Sequence, residues 1–257
     1  MKFKDKVVLV TGANRNTGLA IAEAFAREGA IVWLNGRKPD EVTREADRLR
    51  TTFGATVIEA PADIAVQDEV DALFARIRET SGRLDVLVNN AVIQGVGHAL
   101  VDTPRALLED VFRVNVFGAY ACAQGAARMM VEKKAGTIIN IGSNTAERAI
   151  RNRTAYVASK AAVDGLSRAM AVELGPEGIR VNEVVAGYIR TGRWDVLADG
   201  VEERRHQNIP LRAEASGADI ADAVLFLASD AAARINGARL VVDGGSLAQL
   251  YPEDCDV

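Results

Sequence analysis

The 257-residue chain has two cysteines, two histidines and six prolines. Cys122 and Cys255 stand far apart, so neither a disulfide framework nor a cysteine-based metal spacing can be read from them. Cys122 falls in an alanine-rich helical run and reads as a small core residue. His98 and His206 cannot form a metal site by themselves. No apolar run approaches the roughly 18 residues that a membrane span needs. The opening "MKFKDKVVLV" has too short an apolar segment, and no small-residue cleavage site, for a signal peptide. A net charge of -4 argues against nucleic acid as the main partner. Proline-rich linkers, low-complexity tracts and short repeats are missing as well. The expectation is a soluble, cytoplasmic protein with no membrane or nucleic-acid partner.

What is present is regular alternation. Short β-branched runs predict strands at Val7–Thr11, Ile31–Asn35, Thr56–Ala60, Leu84–Asn89, Thr137–Gly142, Ile179–Val185 and Arg239–Asp243. Several are apolar throughout, as strands covered on both faces are. Between them lie amphipathic segments. One places Ile21, Ala24, Phe25 and Glu28 at helical spacing, and another Val70, Leu73, Phe74 and Ile77. Gly29, Gly54, Gly82, Gly136 and Gly178 fall where helices should stop. Strand and helix alternating throughout predict one α/β domain over 1–257, a doubly wound, mostly parallel sheet with helices on both faces. Ligands of such sheets bind beyond the carboxyl ends of the strands.

The loop after the first strand reads "TGANRNTGLA". Gly12 suits a tight turn, and Gly18 opens a helix whose backbone N–H groups attract a pyrophosphate. Two glycines alone also fit a purely structural turn. The second strand ends "WLNGRK": the acid that reads a ribose 2′-hydroxyl is absent, Gly36 stands near its place, and Arg37 and Lys38 follow. With Arg15 these make three cations on two loops that should meet, which favours NADP(H) over NAD(H). Each cation alone also fits a solvated surface. Asp63, after the third strand, is placed to accept from an adenine amino group, and the fourth strand ends at Asn89 and Asn90.

Ser143 ends the fifth strand, and Tyr156 and Lys160 follow in "YVASK", four residues apart and so on one helix face. A phenol titrates near pH 10, so basicity near neutrality requires a shift of about three units, or roughly 4 kcal/mol. One ammonium within ~4–6 Å supplies a good part of that by favouring phenolate. Ser143 is placed to hold a substrate oxygen while Tyr156 moves the proton. A Tyr–Lys pair at this spacing is also common on ordinary helix surfaces.

Taken together, these residues resemble the short-chain dehydrogenase/reductase family over nearly the whole chain, from Thr11 to Gly245. The resemblance implies a seven-stranded, Rossmann-like parallel sheet, a nicotinamide cofactor and hydride transfer between a secondary alcohol and a carbonyl. It implies that Tyr156 is the general acid/base, that Ser143 positions the carbonyl oxygen, and that Lys160 bonds the nicotinamide ribose and lowers the tyrosine pKa. Asn115 matches the helix asparagine of the proton relay. Gly12, Asn14, Arg15, Asn16, Thr17, Gly18, Arg37, Asp63, Ile64, Asn89, Tyr156, Lys160, Gly187, Ile189 and Thr191 are the expected cofactor contacts, with Ile189 and Thr191 at the carboxamide. A homotetramer is the common family assembly. Four positions depart from the family pattern: Asn16, Thr17, Val92 and Ala186. All lie on cofactor-side loops, and Asn16 suits positive φ better than other non-glycine residues.

Substrate contacts are expected from the loop after Ala91, the segment between Ser143 and Tyr156, and a lid over about 188–215. These hold Gln94 and His98, then Arg148, Arg151 and Arg153, then Arg190, Arg193 and Trp194. Guanidinium suits an anionic or polyhydroxylated substrate; the same arginines would also serve to solvate loops or to make subunit contacts. Gln94, Arg151, Arg193 and Trp194 are the leading substrate candidates. A 3-oxoacyl or other carbonyl reductase and a sugar or polyol dehydrogenase remain open, with an NADP(H)-binding redox sensor or scaffold as the alternative from another class.

Overall fold

The computed structural model describes residues 1–191 and 197–252. Seven parallel strands form one sheet in the order β3-β2-β1-β4-β5-β6-β7. They are β1 (Val7–Val10), β2 (Ile31–Gly36), β3 (Val57–Pro61), β4 (Val86–Asn89), β5 (Gly136–Ser143), β6 (Ile179–Ala186) and β7 (Arg239–Val242). Each agrees with a predicted run to within about two residues at either end. The helices are α1 (Asn16–Arg27), α2 (Pro39–Phe53), α3 (Gln67–Ser81), α4 (Arg105–Phe112), α5 (Ala119–Val131), α6 (Thr154–Leu174), α7 (Val201–Gln207) and α8 (Gly217–Ala228). α2 and α3 stop at Gly54 and Gly82 as predicted, whereas Gly136 opens β5 instead of ending α5.

Alternation along each strand divides the core in two. Val8 and Val10 of β1 join Ile21, Phe25 and Val224 on one face, while Val7 and Leu9 join Leu73, Ile77 and Met130 on the other. Period-2 strands between two helical layers must bury both sets. Phe25 is wholly buried and packs edge-on against Phe3, with ring centroids 4.9 Å apart; burial of such a side chain contributes roughly 2–3 kcal/mol. Cys122 belongs to the second core, and burial pushes its thiol up to about 12.

Two features place the site. The strand order reverses direction between β1 and β4, which opens a crevice at their carboxyl ends. Between α4 and α5 the chain makes a π-helical turn, Arg113–Gly118, a widening of the helix that the apolar period does not announce.

Candidate active site

Four loops are stitched together over the crevice by three polar side chains. Thr11 Oγ1 accepts from the N–H groups of Asn90 (2.9 Å) and Ala91 (3.1 Å). Asn90 Nδ2 returns bonds to the carbonyls of Thr11 (2.9 Å) and Gly12 (3.1 Å). Asn35 Oδ1 accepts from Gly12 N at 3.3 Å, and its Nδ2 donates to the carbonyls of Ala60 and Ala62. Gly12 is in the left-handed region (φ +62), where a Cβ would come within 2.8 Å of Ala91 Cα. Asn16 adopts φ +49, so the asparagine keeps the backbone path expected of it.

The loop borders a cavity of about 870 Å³, a size that suits a nucleotide-like ligand. Gly12, Asn14, Arg15, Asn16, Thr17 and Gly18 line one end, joined by Arg37, Asp63 and Ile64. Among the described residues no side chain caps the N-terminus of α1, and no acid lies in its first turn. A helix end of this kind, aimed into a cavity, fits a phosphate group. Arg15 and Arg37 come to the same cavity. Lys38 does not: its ammonium pairs with Glu41 at 2.7 Å on the first turn of α2, so two cations, not three, face the ligand. Gly36 abuts Asn14, and a Cβ there would lie 2.6 Å from Asn14 Oδ1. Asp63 has one oxygen bonded to Ala65 N (2.9 Å) and the other 3.9 Å from Arg37.

At the other end stand Ser143, Tyr156 and Lys160. Ser143 Oγ lies 2.9 Å from Thr145 Oγ1 and accepts from Thr145 N at 3.3 Å. Lys160 Nζ donates to the Ile141 carbonyl at 2.6 Å and lies 5.9 Å from the centroid of the Tyr156 ring. Burial pushes the Lys160 ammonium down to about 8, and the Glu183 carboxylate opposes that shift. Asn115 sits in the π turn. It clamps Ile93 through both backbone groups (2.8 and 2.9 Å) and donates to Ser159 Oγ (2.9 Å), which donates to the Tyr156 carbonyl (2.7 Å). It therefore holds α6 and the loop after β4 in register with each other.

Three expectations need correction. Asn89 does not line the cavity. It is buried, with Nδ2 bonded to Asn140 Oδ1 (2.9 Å) and the Ala119 carbonyl (3.1 Å), and Asn90 takes the cavity position. Arg151 is exposed and is not among the cavity residues, while Arg148 and Arg153 line it. Arg148 is anchored to the carbonyls of Ser246 and Gln249. Arg153 Nη1 donates to Gln94 Oε1 at 2.9 Å. His98 is exposed and is not among the cavity residues. Arg193 and Trp194 lie outside the described residues, as does Cys255.

Gly187, Ile189 and Thr191 reach the cavity as expected, with Ala186 and Val92 beside them. Ile189 and Ala215 are joined by a parallel bridge. Arg205 of α7 stacks over the Tyr188 ring at 5.1 Å, and both line the cavity. Glu202, His206 and Glu214 bring ligand atoms within 4.8 Å of one another. Arg190 bonds both carboxylates, at 3.1 and 2.6 Å, and so supplies a positive charge there.

Residues 12–246 match the family described as enoyl-(acyl carrier protein) reductase. The chain is 39% identical to L-rhamnose 1-dehydrogenase (NAD(P)(+)) of Azotobacter vinelandii, over 97% of this chain and all of that one. The chain belongs to the short-chain dehydrogenase/reductase family. It is 36% identical to the 3-oxoacyl-(acyl-carrier-protein) reductase FabG of Staphylococcus aureus, over 93% and 97% of the two chains. A gluconate 5-dehydrogenase from Burkholderia cenocepacia, solved with NADP and tartrate, superposes with a TM-score of 0.92 at 31% identity, covering 97% of this chain and 98% of that one. As a short-chain dehydrogenase/reductase this protein is an oxidoreductase that interconverts an alcohol and a carbonyl with a nicotinamide cofactor.

Proposed function

We propose that the chain, acting as one unit over 1–257, is an NADP(H)-dependent dehydrogenase of a polyhydroxylated substrate, a sugar or sugar acid, and that it works in the cytoplasm as a homotetramer. The observation that carries the substrate class is a set of polar side chains that share the cavity with the candidate relay. Gln94, Arg153, Arg205 and Asn208 line the same cavity as Ser143. Val92, Ile93, Ala149 and Ile150 line the cavity as well, and reduction of a 3-oxoacyl thioester would draw mainly on such apolar contacts.

The cofactor end supports NADP(H) through Arg15 and Arg37, with glycine and not an acid at position 36. Gly12, the N-terminus of α1, Ile64, Ile189 and Thr191 would hold the remainder of the dinucleotide. The bound nicotinamide would supply or accept the hydride. Tyr156 takes the proton from the substrate hydroxyl, or returns it to the carbonyl oxygen, as general acid/base. Ser143 Oγ holds that same oxygen. Lys160, out of water and seated on the Ile141 carbonyl, favours the phenolate electrostatically. Asn115 keeps α6 in place.

Arg153→Ala is expected to raise KM for a sugar acid at least about tenfold while kcat and cofactor Kd change little, because a charge-assisted hydrogen bond contributes roughly 1.5–3 kcal/mol. Equal kinetics for wild type and variant on both sugar acids and neutral sugars would refute this role. The tetramer reading is supported by exposed apolar side chains in two regions, Phe117 of the π turn with Tyr120 of α5, and Phe226 of α8 with Val241 of β7. Light scattering should give four times the mass of one chain; a monodisperse monomer would exclude it.

A further inference from the structure

β6 carries a carboxylate in the middle of an apolar strand. Glu183, in "IRVNEVV", is 1% exposed, and Val181 and Val185 share its face. Its register neighbours are Asn140 on β5 and Arg239 on β7. Its Oε1 occupies the space beside Gly142, where a Cβ would collide with it. Among the described residues neither carboxylate oxygen accepts a hydrogen bond. Burying an acid this way is costly, and the sugar chemistry proposed above makes no use of it.

The ionisable groups around it come from two elements. From α6 come Lys160 and, one turn on, Asp164, which is itself paired to Arg168 at 2.6 Å. From β7 comes Arg239, whose Nε lies 3.5 Å from Glu183 and 3.3 Å from Asp164, and whose Nη2 lies 2.5 Å from Glu147. β5 offers only Gly142 at the contact. Gly142 is bonded to Ile141, whose carbonyl accepts from Lys160 Nζ. The carboxylate and the ammonium therefore sit on adjacent residues of one strand, both out of water.

We propose that Glu183 is a positioning residue that acts through Lys160: its carboxylate, wedged behind Gly142, keeps the Lys160 ammonium charged and seated on the Ile141 carbonyl. The inference rests on the reading of Lys160 as the ammonium of the proton relay. The shifts agree with the geometry. Burial, then Asp164, pushes Glu183 up to about 7, with Arg239 and Lys160 opposing. Above that pH Glu183 is ionised and favours the ammonium. Without its charge only burial acts on Lys160, which then loses its proton at lower pH.

The test uses the full chain with Glu183→Gln and Glu183→Ala. In both, Arg239 keeps Asp164 and Glu147, so Lys160 is the cation that loses its counter-charge. The first readout is the Nζ resonance of Lys160 in ¹⁵N-lysine-labelled protein, assigned by its loss in Lys160→Arg. Its midpoint should fall by about one pH unit in both variants. In unaltered protein the same resonance should show a second inflection near pH 7, where Glu183 ionises; this holds even if neither variant folds. The second readout is kcat against pH with saturating cofactor, whose alkaline limb should move down with the Nζ midpoint. A single-step Nζ curve in the unaltered protein, an unmoved midpoint in a folded variant, or a loss of kcat equal at every pH overturns the inference. If the midpoint moves but unaltered protein turns over no substrate, the relay reading fails and Glu183's effect on Lys160 stands. If Tyr156→Phe abolishes turnover and the midpoint is static, the relay stands and the inference fails.

Discussion

Tyr156→Phe should lower kcat by about 10²–10⁴-fold, the range expected when a positioned general acid/base is removed. The ring stays, so α6 and its bond from Ser159 to the residue 156 carbonyl are undisturbed. Only the phenolic oxygen is lost. Dinucleotide affinity should therefore stay within a few-fold of wild type, because the phosphate-binding end of the cavity is made by other loops. Stopped-flow or steady-state kinetics set beside a cofactor titration separate the two quantities. Turnover within threefold of wild type would remove Tyr156 from the chemistry. Loss of cofactor binding in parallel would mean that the substitution reports structure instead.

The second large effect falls on cofactor choice. Arg15 and Arg37 approach the same end of the cavity from different loops, and a charge-assisted bond to a phosphate contributes roughly 1.5–3 kcal/mol. Arg15→Ala with Arg37→Ala should weaken NADPH by about 10²-fold or more and leave NADH within a few-fold. Calorimetric titration with both nucleotides measures the ratio. A parallel loss for both would place the arginines at the shared pyrophosphate instead of the 2′-phosphate. The Arg37–Asp63 separation of 3.9 Å is long for an ion pair, and the exposed guanidinium makes it a weak competitor for a phosphate dianion.

The strands were legible because buried parallel strands are apolar on both faces; Ser143, Tyr156 and Lys160 were legible because a strand end and a helical spacing agreed with the family resemblance, neither being decisive alone. What stayed hidden depends on side-chain direction at element ends. Asn89 and Asn90 are adjacent, and only the point where the chain leaves β4 decides that the first turns inward to Asn140 and the second faces the cavity. Arg151 and Arg153 differ because α6 begins at Thr154 and carries Arg153 toward Gln94. Lys38 was lost to Glu41, three residues on in the first turn of α2, a local pairing that outcompetes a distant loop. Asn35 and Thr11, which tie the loops together, gave a signal that went unused: polar residues at the ends of apolar strands. Glu183 gave a stronger one, an acid in a strand that should be buried on both faces. The π turn had none, since nothing in the residue types of Arg113–Gly118 sets it apart from an ordinary helical turn.

The reaction proposed for this site is oxidation of a polyhydroxylated alcohol with NADP. The direct measurement is nucleotide reduction by the purified protein with NADP and with NAD, across aldoses, aldonates and polyols, run beside reduction of acetoacetyl thioesters. Expected are turnover of at least one sugar or sugar acid, higher kcat/KM with NADP than with NAD, and no comparable activity in Tyr156→Phe. Turnover of the thioester alone, or equal activity in wild type and Tyr156→Phe, would contradict it.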